Sequence, residues 1–132
     1  MTKKQALKWT KALRSGKYKQ GKNKLHDAQG NYCCLGVACE IFTFKNVTVL
    51  REEDGTISGL HLESQPDILR LLNIKNEGFL GTYLGEEIPG YCAPPKEYCS
   101  PKVATLAFLN DRNFTFDEIA DIIELKWVHG AF

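Results

Sequence analysis

Apolar residues recur with helical spacing at both ends of the chain. Near the N-terminus they predict a helix that ends at about Arg14, with an apolar stripe of Ala6, Trp9, Ala12 and Leu13. Thr2 and Gln5 have the spacing of a capping box, in which each side chain binds the backbone N–H of the other residue. Ser15-Gly16 is a typical helix stop, because glycine adopts a positive φ without steric cost.

Further helices follow from capping and length. A run of apolar and small residues predicts a buried helix from about Cys34 to Phe42, because the run is longer than a usual strand. Ser100-Pro101 combines a cap residue with a proline in the first turn and predicts a helix over residues 101–110. Thr115 and Glu118 form a second capping box before a wide apolar face, which comprises Phe116, Ile119, Ala120, Ile122 and Ile123.

The middle of the chain combines extended segments with turns. Residues 46–50 and 56–62 have strand-like patterns on either side of an Asp-Gly turn within residues 52–55, which predicts a hairpin. A turn over residues 27–31 is expected to bring Tyr32 beside a short strand that precedes the turn.

Together these elements predict an α+β fold in which four or five helices pack on a small antiparallel sheet. One of the helices is expected to begin near Pro66 and to carry Ile68, Leu69, Leu71 and Leu72. A length of 132 residues is close to the commonest size of one domain, and the chain has no internal repeat or low-complexity tract. We therefore expect a single compact domain over residues 1–132.

Positive charge is concentrated near the N-terminus, although the net charge is only +1. Residues 1–26 contain nine Lys or Arg and no acid, whereas residues 27–132 contain eight Lys or Arg and sixteen acids. Such asymmetry indicates an anionic partner, or contact with an acidic face of another subunit. The near-neutral total is not typical of a protein that coats DNA.

The chain lacks the sequence features of membrane and secreted proteins. No apolar run approaches the ~18 residues that a membrane span needs, and no apolar stretch of signal-peptide type follows the N-terminal lysines. We therefore expect an intracellular protein. Its five cysteines are an odd number and do not suggest a disulfide framework, so buried free thiols are the simplest interpretation.

Two blocks of the sequence resemble a known family. The first comprises residues 9–21, in which Trp9 precedes ALRSGKYKQG, and residues 32–40, YCCLGVACE. The second lies within residues 104–121 and contains Leu109-Asn110-Asp111 and then FDEIAD. Both are similar to a set of small proteins of bacteriophages, prophages and actinobacterial genomes, usually described as hypothetical. The resemblance leaves roughly residues 45–98 unmatched, and it implies a phage or prophage origin and the cytoplasm of an infected bacterium.

The basic segment after the first helix is the best candidate for a ligand site. Lysines there accompany glycine-containing turns, whose backbone N–H groups can bind an anion. Arg14 suits bidentate contact with a phosphate, and Tyr18 suits stacking on a base or ribose. Cys33-Cys34 stands at a predicted helix N-terminus, which also attracts phosphate. The predicted ligand-binding set is Arg14, Ser15, Gly16, Lys17, Tyr18, Gln20, Lys22, Lys24, Cys33 and Cys34.

Cysteine chemistry offers two other kinds of site. A nucleophile at Cys33 or Cys34 needs a partner base, and His26, the nearest histidine in sequence, lies on a predicted turn. A zinc site that includes Cys92 and Cys99 has a wider spacing than most structural zinc sites. No catalytic residue, metal ligand or cofactor is therefore assigned.

DNA binding is also disfavoured by charge. Residues 101–126 have the helix order of a helix-turn-helix, but residues 115–126 carry four acids and one lysine. A recognition helix that acidic would repel phosphates. We therefore expect neither specific DNA binding nor a membrane partner.

These features lead to the hypothesis of a non-catalytic phage-type protein that binds an anionic small molecule derived from a nucleotide. In a phage, such a protein would sequester a phosphate-bearing immune signal and so counter host defence. We expect a homo-oligomer, because ligands of such binders often lie near subunit junctions. Two alternatives stay open: an inhibitor that binds a host protein, and a small hydrolase that uses Cys33 or Cys34.

Overall fold

The structure, a computed structural model, describes residues 1–22, 24–44, 51–57, 67–74, 79–82 and 103–130. Its helices are α1 (Lys3–Arg14), α2 (Cys34–Ile41), α3 (Asp67–Leu71), α4 (Leu106–Asp111) and α5 (Phe116–Ile123), and α5 continues into a π-helical turn (Glu124–Val128). Two strands, β1 (Phe79–Thr82) and β2 (Val103–Thr105), pair antiparallel. None of the helices within these ranges has the length and apolar character that crossing a membrane requires.

α1 begins and ends where the sequence predicts. The Thr2 hydroxyl accepts a hydrogen bond from Gln5 N at 3.1 Å, and Thr2 N donates to Gln5 Oε1 at 2.9 Å, which confirms the capping box. Gly16 follows the last turn with a φ of +76°, in the left-handed region that glycine tolerates. In the apolar stripe, Ala6, Trp9 and Leu13 are confirmed as buried, with Trp9 fully enclosed, whereas Ala12 is half-buried.

α2 is confirmed as a buried helix. All its residues from Cys34 to Cys39 are buried. Gly36 is required by close packing, because a Cβ atom at this position would lie 1.7 Å from the carbonyl oxygen of Leu25. The backbone at Leu25 therefore lies directly on the helix, and it also accepts a hydrogen bond from Cys33 N at 3.3 Å.

The helices pack mainly on one another. α1 lies against α2, α5 and the π-helical turn. Trp9 connects these contacts: its ring centroid is 6.4 Å from that of Trp127, and its Nε1 donates to Cys34 O at 3.0 Å. α5 begins at the predicted capping box of Thr115 and Glu118, and the five predicted apolar residues are all buried. The core thus forms where the apolar faces of helices meet.

The predicted fold class is wrong, because the described residues are mainly helical and their helices do not pack on an antiparallel sheet. β1 and β2 have only four and three residues, and other extended contacts are isolated bridges such as those of His26 with Tyr32 and Ile57. A pairing this short offers no face on which several helices could bury their stripes. The stripes bury against one another instead. The single domain over residues 1–132 stays a prediction.

The predicted helix over residues 101–110 is wrong in its first turn. Val103–Thr105 forms β2, and α4 begins only at Leu106. Thr105 is the N-cap, and its hydroxyl accepts from Phe108 N at 3.0 Å. Strand pairing therefore occupies the residues that the proline signal assigned to a helix, and a threonine caps as serine does. The predicted start at Ser100-Pro101 lies outside the described residues.

The predicted turns in the middle of the chain are confirmed. Gly30 and Gly55 have φ values of +82° and +84° in the turns over 27–31 and 52–55. Ile57, expected in the hairpin, instead forms a bridge with His26. The hairpin residues 46–50 and 58–62 lie outside the described residues, as does Pro66 before α3.

Candidate anion-binding site

The basic loop, residues 15–22, is fixed against the body of the protein. Tyr32 N donates to Lys19 O at 2.8 Å, and Gly21 N donates to Tyr32 O at 2.7 Å. The Tyr18 ring packs edge-on against the Tyr32 ring, with 5.3 Å between their centroids. The loop therefore has a defined backbone and forms part of the protein surface.

Gln20 anchors the basic loop to the C-terminal helices. Its Nε2 donates to Phe114 O at 2.7 Å and to Asn110 Oδ1 at 3.0 Å, and its Oε1 accepts from Phe116 N at 3.1 Å. The last bond satisfies a donor in the first turn of α5, where a helix has no internal partner for its N–H groups. Gln20 was predicted to contact a ligand, but its amide is occupied by the protein itself.

Asn110 joins the two ends of the chain, and its role was missed in the sequence. It is fully buried; its Oδ1 also accepts from Cys34 N at 3.1 Å, and its Nδ2 donates to Gly21 O at 2.8 Å. One side chain thus fixes the start of α2, the basic loop and α4. The signal that identifies it is a polar residue on the apolar face of a helix, four positions after Leu106.

Arg14 forms ion pairs with the acidic C-terminal helix. Its guanidinium contacts Asp121 Oδ1 at 2.6 Å and also contacts Glu124, which accepts a hydrogen bond from the Thr10 hydroxyl at 3.0 Å. The hydrogen bond between Arg14 and Glu124 is the main cause that raises the pKa of the arginine and lowers the pKa of the carboxylate. Arg14 therefore joins α1 to α5, and carboxylates occupy the group that was predicted to bind phosphate.

A shallow depression lies between α1, the basic loop and the end of α2. Its volume is about 250 Å³, and it is lined by Lys8, Lys11, Ala12, Ser15, Lys17, Tyr18 and Ile41. Lys8 and Lys11 lie three residues apart on one helix face, and Lys17 comes from the loop. In the described part of the chain, none of these three lysines forms an ion pair. Two of them contact aromatic rings instead: Lys8 Nζ lies 5.2 Å from the Phe42 ring centroid, and Lys17 Nζ lies 5.7 Å from the Tyr18 ring centroid. The depression therefore combines positive charge that has no carboxylate partner among the described residues with an apolar and aromatic surface.

Backbone donors contribute little to this depression. Ser15 N donates to Ala12 O at 3.2 Å, and Lys17 N donates to Ser15 Oγ at 3.1 Å, so both N–H groups are already paired at the helix end. The C-terminus of α1 also carries partial negative charge, which opposes an anion. The lysine ammonium groups would therefore hold an anion here, and their attraction must exceed the repulsion from the C-terminus of α1.

The remaining predicted lysines lie elsewhere. Lys22 lines a second pocket of about 220 Å³, together with Gln20, Gly21, Asn110, Asn113 and Phe114. Lys24 is exposed and lines neither pocket. The structure thus brings Ser15, Lys17 and Tyr18 together, and it separates them from the lysines that follow in the loop.

Cys33 and Cys34 lie in the core and line neither pocket. Burial raises the pKa of Cys33 to about 12 and raises the pKa of Cys34 well above its ordinary value. A thiol is a nucleophile as the thiolate, so neither residue is suited to attack a substrate at neutral pH. Cys92 and Cys99, considered as zinc ligands, lie outside the described residues.

Comparison with known proteins identifies a family. A family model described as "Domain of unknown function (DUF8296)" matches residues 1–67, which include α1, the basic loop and α2. No curated protein and no solved structure matches the chain. Because the match spans 67 of the 132 residues, this chain belongs to the DUF8296 family.

Proposed function

We propose that this protein binds a phosphate-bearing small molecule, such as a nucleotide, in the depression bounded by Lys8, Lys11 and Lys17. The observation that carries the proposal is the presence of three lysines from two elements on the lining of one depression, none of them in an ion pair within the described residues. An anion bound in the depression gains favourable Coulomb energy from each ammonium group. Phosphate supplies both the charge and several acceptor oxygens.

The other surfaces of the depression suit the rest of a nucleotide. Tyr18 offers an aromatic side chain beside the lysines, and Ala12 and Ile41 offer apolar contacts. Aromatic side chains bind bases by stacking in many nucleotide-binding proteins. A volume of about 250 Å³ is slightly below the range of roughly 300–1,000 Å³ that is usual for ligand pockets. The site therefore suits one phosphate and its adjoining group, with the remainder of a larger ligand exposed.

Binding without turnover is the activity that this chemistry favours. The Ser15 hydroxyl donates to Ala12 O at 2.6 Å, and the described thiols are buried with raised pKa values. Sequestration of a ligand requires affinity and no acid–base machinery. Combined with the resemblance to phage proteins, this leads us to infer a counter-defence protein that acts in the cytoplasm of an infected bacterium and withholds a phosphate-bearing immune signal.

A homo-oligomer would complete an open site of this kind. Leu7 is 48% exposed on α1, next to the lysines of the depression. Exposed α5 acids of a second copy, such as Asp117 and Glu118, have the charge that complements this face. Light scattering coupled to size exclusion tests the assembly: a mass near 14.9 kDa for the eluted protein would show a monomer and contradict this part of the proposal.

Calorimetric titration with inorganic phosphate and with AMP tests the site. Lys11→Gln/Lys17→Gln removes two of the three charges, and two ammonium groups at ~4 Å in water contribute ~1 kcal/mol each, so the affinity should fall at least about tenfold. Lys3→Gln/Lys4→Gln is the matched control, because it removes the same charge from α1 outside the depression. The control should change the affinity less than about threefold, since exposed charges at a distance are screened by salt.

The same titrations distinguish the alternatives. If both double variants lost affinity equally, the binding would be explained by general electrostatic attraction, and the proposed site would be refuted. Release of adenosine or another product from AMP would indicate a hydrolase. Recovery of a bound host protein, with no affinity for either probe, would favour the protein inhibitor.

A further inference from the structure

The second pocket lies between the basic loop and the turn that joins α4 to α5. Its inner wall is formed by polar groups that already have partners. Gln20 and Asn110 bind each other, and Asn110 Nδ2 donates to Gly21 O at 2.8 Å. Because these groups are committed to the fold, they shape the pocket of about 220 Å³ without offering a hydrogen bond to a ligand.

The rim of the pocket presents donors. The Lys22 ammonium group contacts Asn113 Oδ1, which leaves the Nδ2 group of Asn113 to donate and leaves Lys22 with two further N–H donors. Both residues are exposed, and Lys22 forms no ion pair with any described residue. An acceptor with negative charge suits this rim. A described carboxylate oxygen, Asp111 Oδ1, lies 3.4 Å from Asn110 Nδ2 of the inner wall and would oppose the anion, so the donors of the rim must outweigh it.

The turn that carries Asn113 is fixed on both sides. Arg112 N donates to Leu109 O at 3.1 Å, and Phe114 N donates to the same oxygen at 3.2 Å. Asn113 has a φ of +70°, a left-handed conformation in which asparagine is more tolerated than most residues. The opposite wall is held by Gln20 Nε2, which donates to Phe114 O at 2.7 Å. These hydrogen bonds hold the backbone of the Asn113 turn against the loop that carries Lys22.

We propose that this pocket is a second anion site, which binds a carboxylate or phosphate oxyanion between Lys22 and Asn113. The anion would accept from the Lys22 ammonium group and from Asn113 Nδ2. The site does not depend on the lysine depression, because the two pockets share no lining residue.

Amide NMR spectra recorded during titration with acetate, and separately with inorganic phosphate, test this site at constant ionic strength. Saturable shifts are expected at the Asn113 side-chain amide and at the Gly21 and Lys22 backbone amides. Lys22→Gln should weaken the binding about fivefold or more, since it removes a charge-assisted hydrogen bond. Asn113→Gly should weaken it about threefold to fivefold through loss of one hydrogen bond, and glycine keeps the φ of +70° without strain.

Lys24→Gln is the control, because this exposed lysine lies outside the pocket. It should change the affinity less than twofold. Tighter binding of acetate would assign a carboxylate ligand, and tighter binding of phosphate would assign a phosphoryl group. Shifts that never saturate, or an equal effect of Lys24→Gln, would overturn the proposal. Lys11→Gln/Lys17→Gln should leave these shifts intact, so failure of one anion site is distinguishable from failure of the other.

Discussion

Replacement of Asn110 by alanine should destabilise the protein strongly, because one buried side chain holds three segments together. The substitution removes hydrogen bonds with Gln20, Gly21 and Cys34. Gln20 Nε2 keeps its second acceptor, Phe114 O. Cys34 N–H loses its acceptor at a residue with no solvent exposure.

The magnitude follows from these losses. A buried donor left without an acceptor costs about 1–3 kcal/mol, and the lost bond to Gly21 O costs about 1 kcal/mol more. Removal of the side-chain volume from a fully buried position adds about 1 kcal/mol. We therefore expect the free energy of unfolding to fall by about 3–5 kcal/mol. At ~4 °C per kcal/mol for a chain of this size, the midpoint of thermal unfolding should fall by about 12–20 °C.

Urea unfolding followed by tryptophan fluorescence measures this loss. The midpoint concentration should fall while the slope of the transition stays unchanged, which is the pattern of lost stability without a change in the denatured state. Asn113→Gly is the matched control: it removes an exposed asparagine amide from a left-handed position that glycine tolerates, so it should change stability by about 0.5 kcal/mol at most. A loss below about 1 kcal/mol in Asn110→Ala, or an equal loss in the control, would refute the reasoning.

Three further predictions concern the rest of the fold. Arg14→Met should lower stability at pH 7 by about 1 kcal/mol. The same substitution should reduce acid sensitivity, because the pKa of Glu124 is lowered by folding: its contribution to stability exists above the unfolded pKa near 4.5 and disappears as the pH falls through the folded value. Urea unfolding at pH 7 and pH 3 measures both effects. If the loss of stability between pH 7 and pH 3 is the same in Arg14→Met as in the unmodified protein, the assignment is contradicted. The thiols of Cys33 and Cys39, with pKa values of about 12, should resist iodoacetamide at pH 8 until the protein unfolds, as peptide mass mapping can show; rapid labelling of the native protein would be the contrary result. Gly36→Ala should destabilise by more than about 3 kcal/mol or abolish folding, because its Cβ would overlap a backbone oxygen; near-native thermal stability would contradict the close packing.

Local sequence signals predicted the ends of several helices well. The capping boxes at Thr2 and Thr115 depend on residues three positions apart, so the sequence contains all the chemistry that they need. The start of α4 was misplaced because Ser100-Pro101 and Thr105 are both good caps, and pairing of β2 with a distant strand decides between them. The prediction of the fold class failed because of tertiary contacts too: hydrophobic periodicity predicts which face of a helix is buried, but it does not predict whether a sheet or another helix covers that face.

The candidate site was predicted only in part, because charge density says nothing about partners that are distant in sequence. The sequence around Arg14 predicts a phosphate ligand, but the side chain forms ion pairs with Asp121 and Glu124, which lie more than a hundred positions later in the chain. Lys17 and Tyr18 do line a depression, yet Lys8 and Lys11, which complete it, were not among the predicted ligand-binding residues. A helical projection of α1 would have placed those two lysines on the side of the basic loop.

Mass spectrometry of small molecules released from natively purified protein tests the central claim most directly. The protein is purified without denaturant from phage-challenged bacteria, then denatured, and the released compounds are identified. We predict an intact phosphate-bearing compound in near-stoichiometric amount from the unmodified protein and from Lys3→Gln/Lys4→Gln, and its loss from Lys11→Gln/Lys17→Gln. Absence of any such compound, or equal recovery from all three proteins, would contradict a ligand site in the lysine depression.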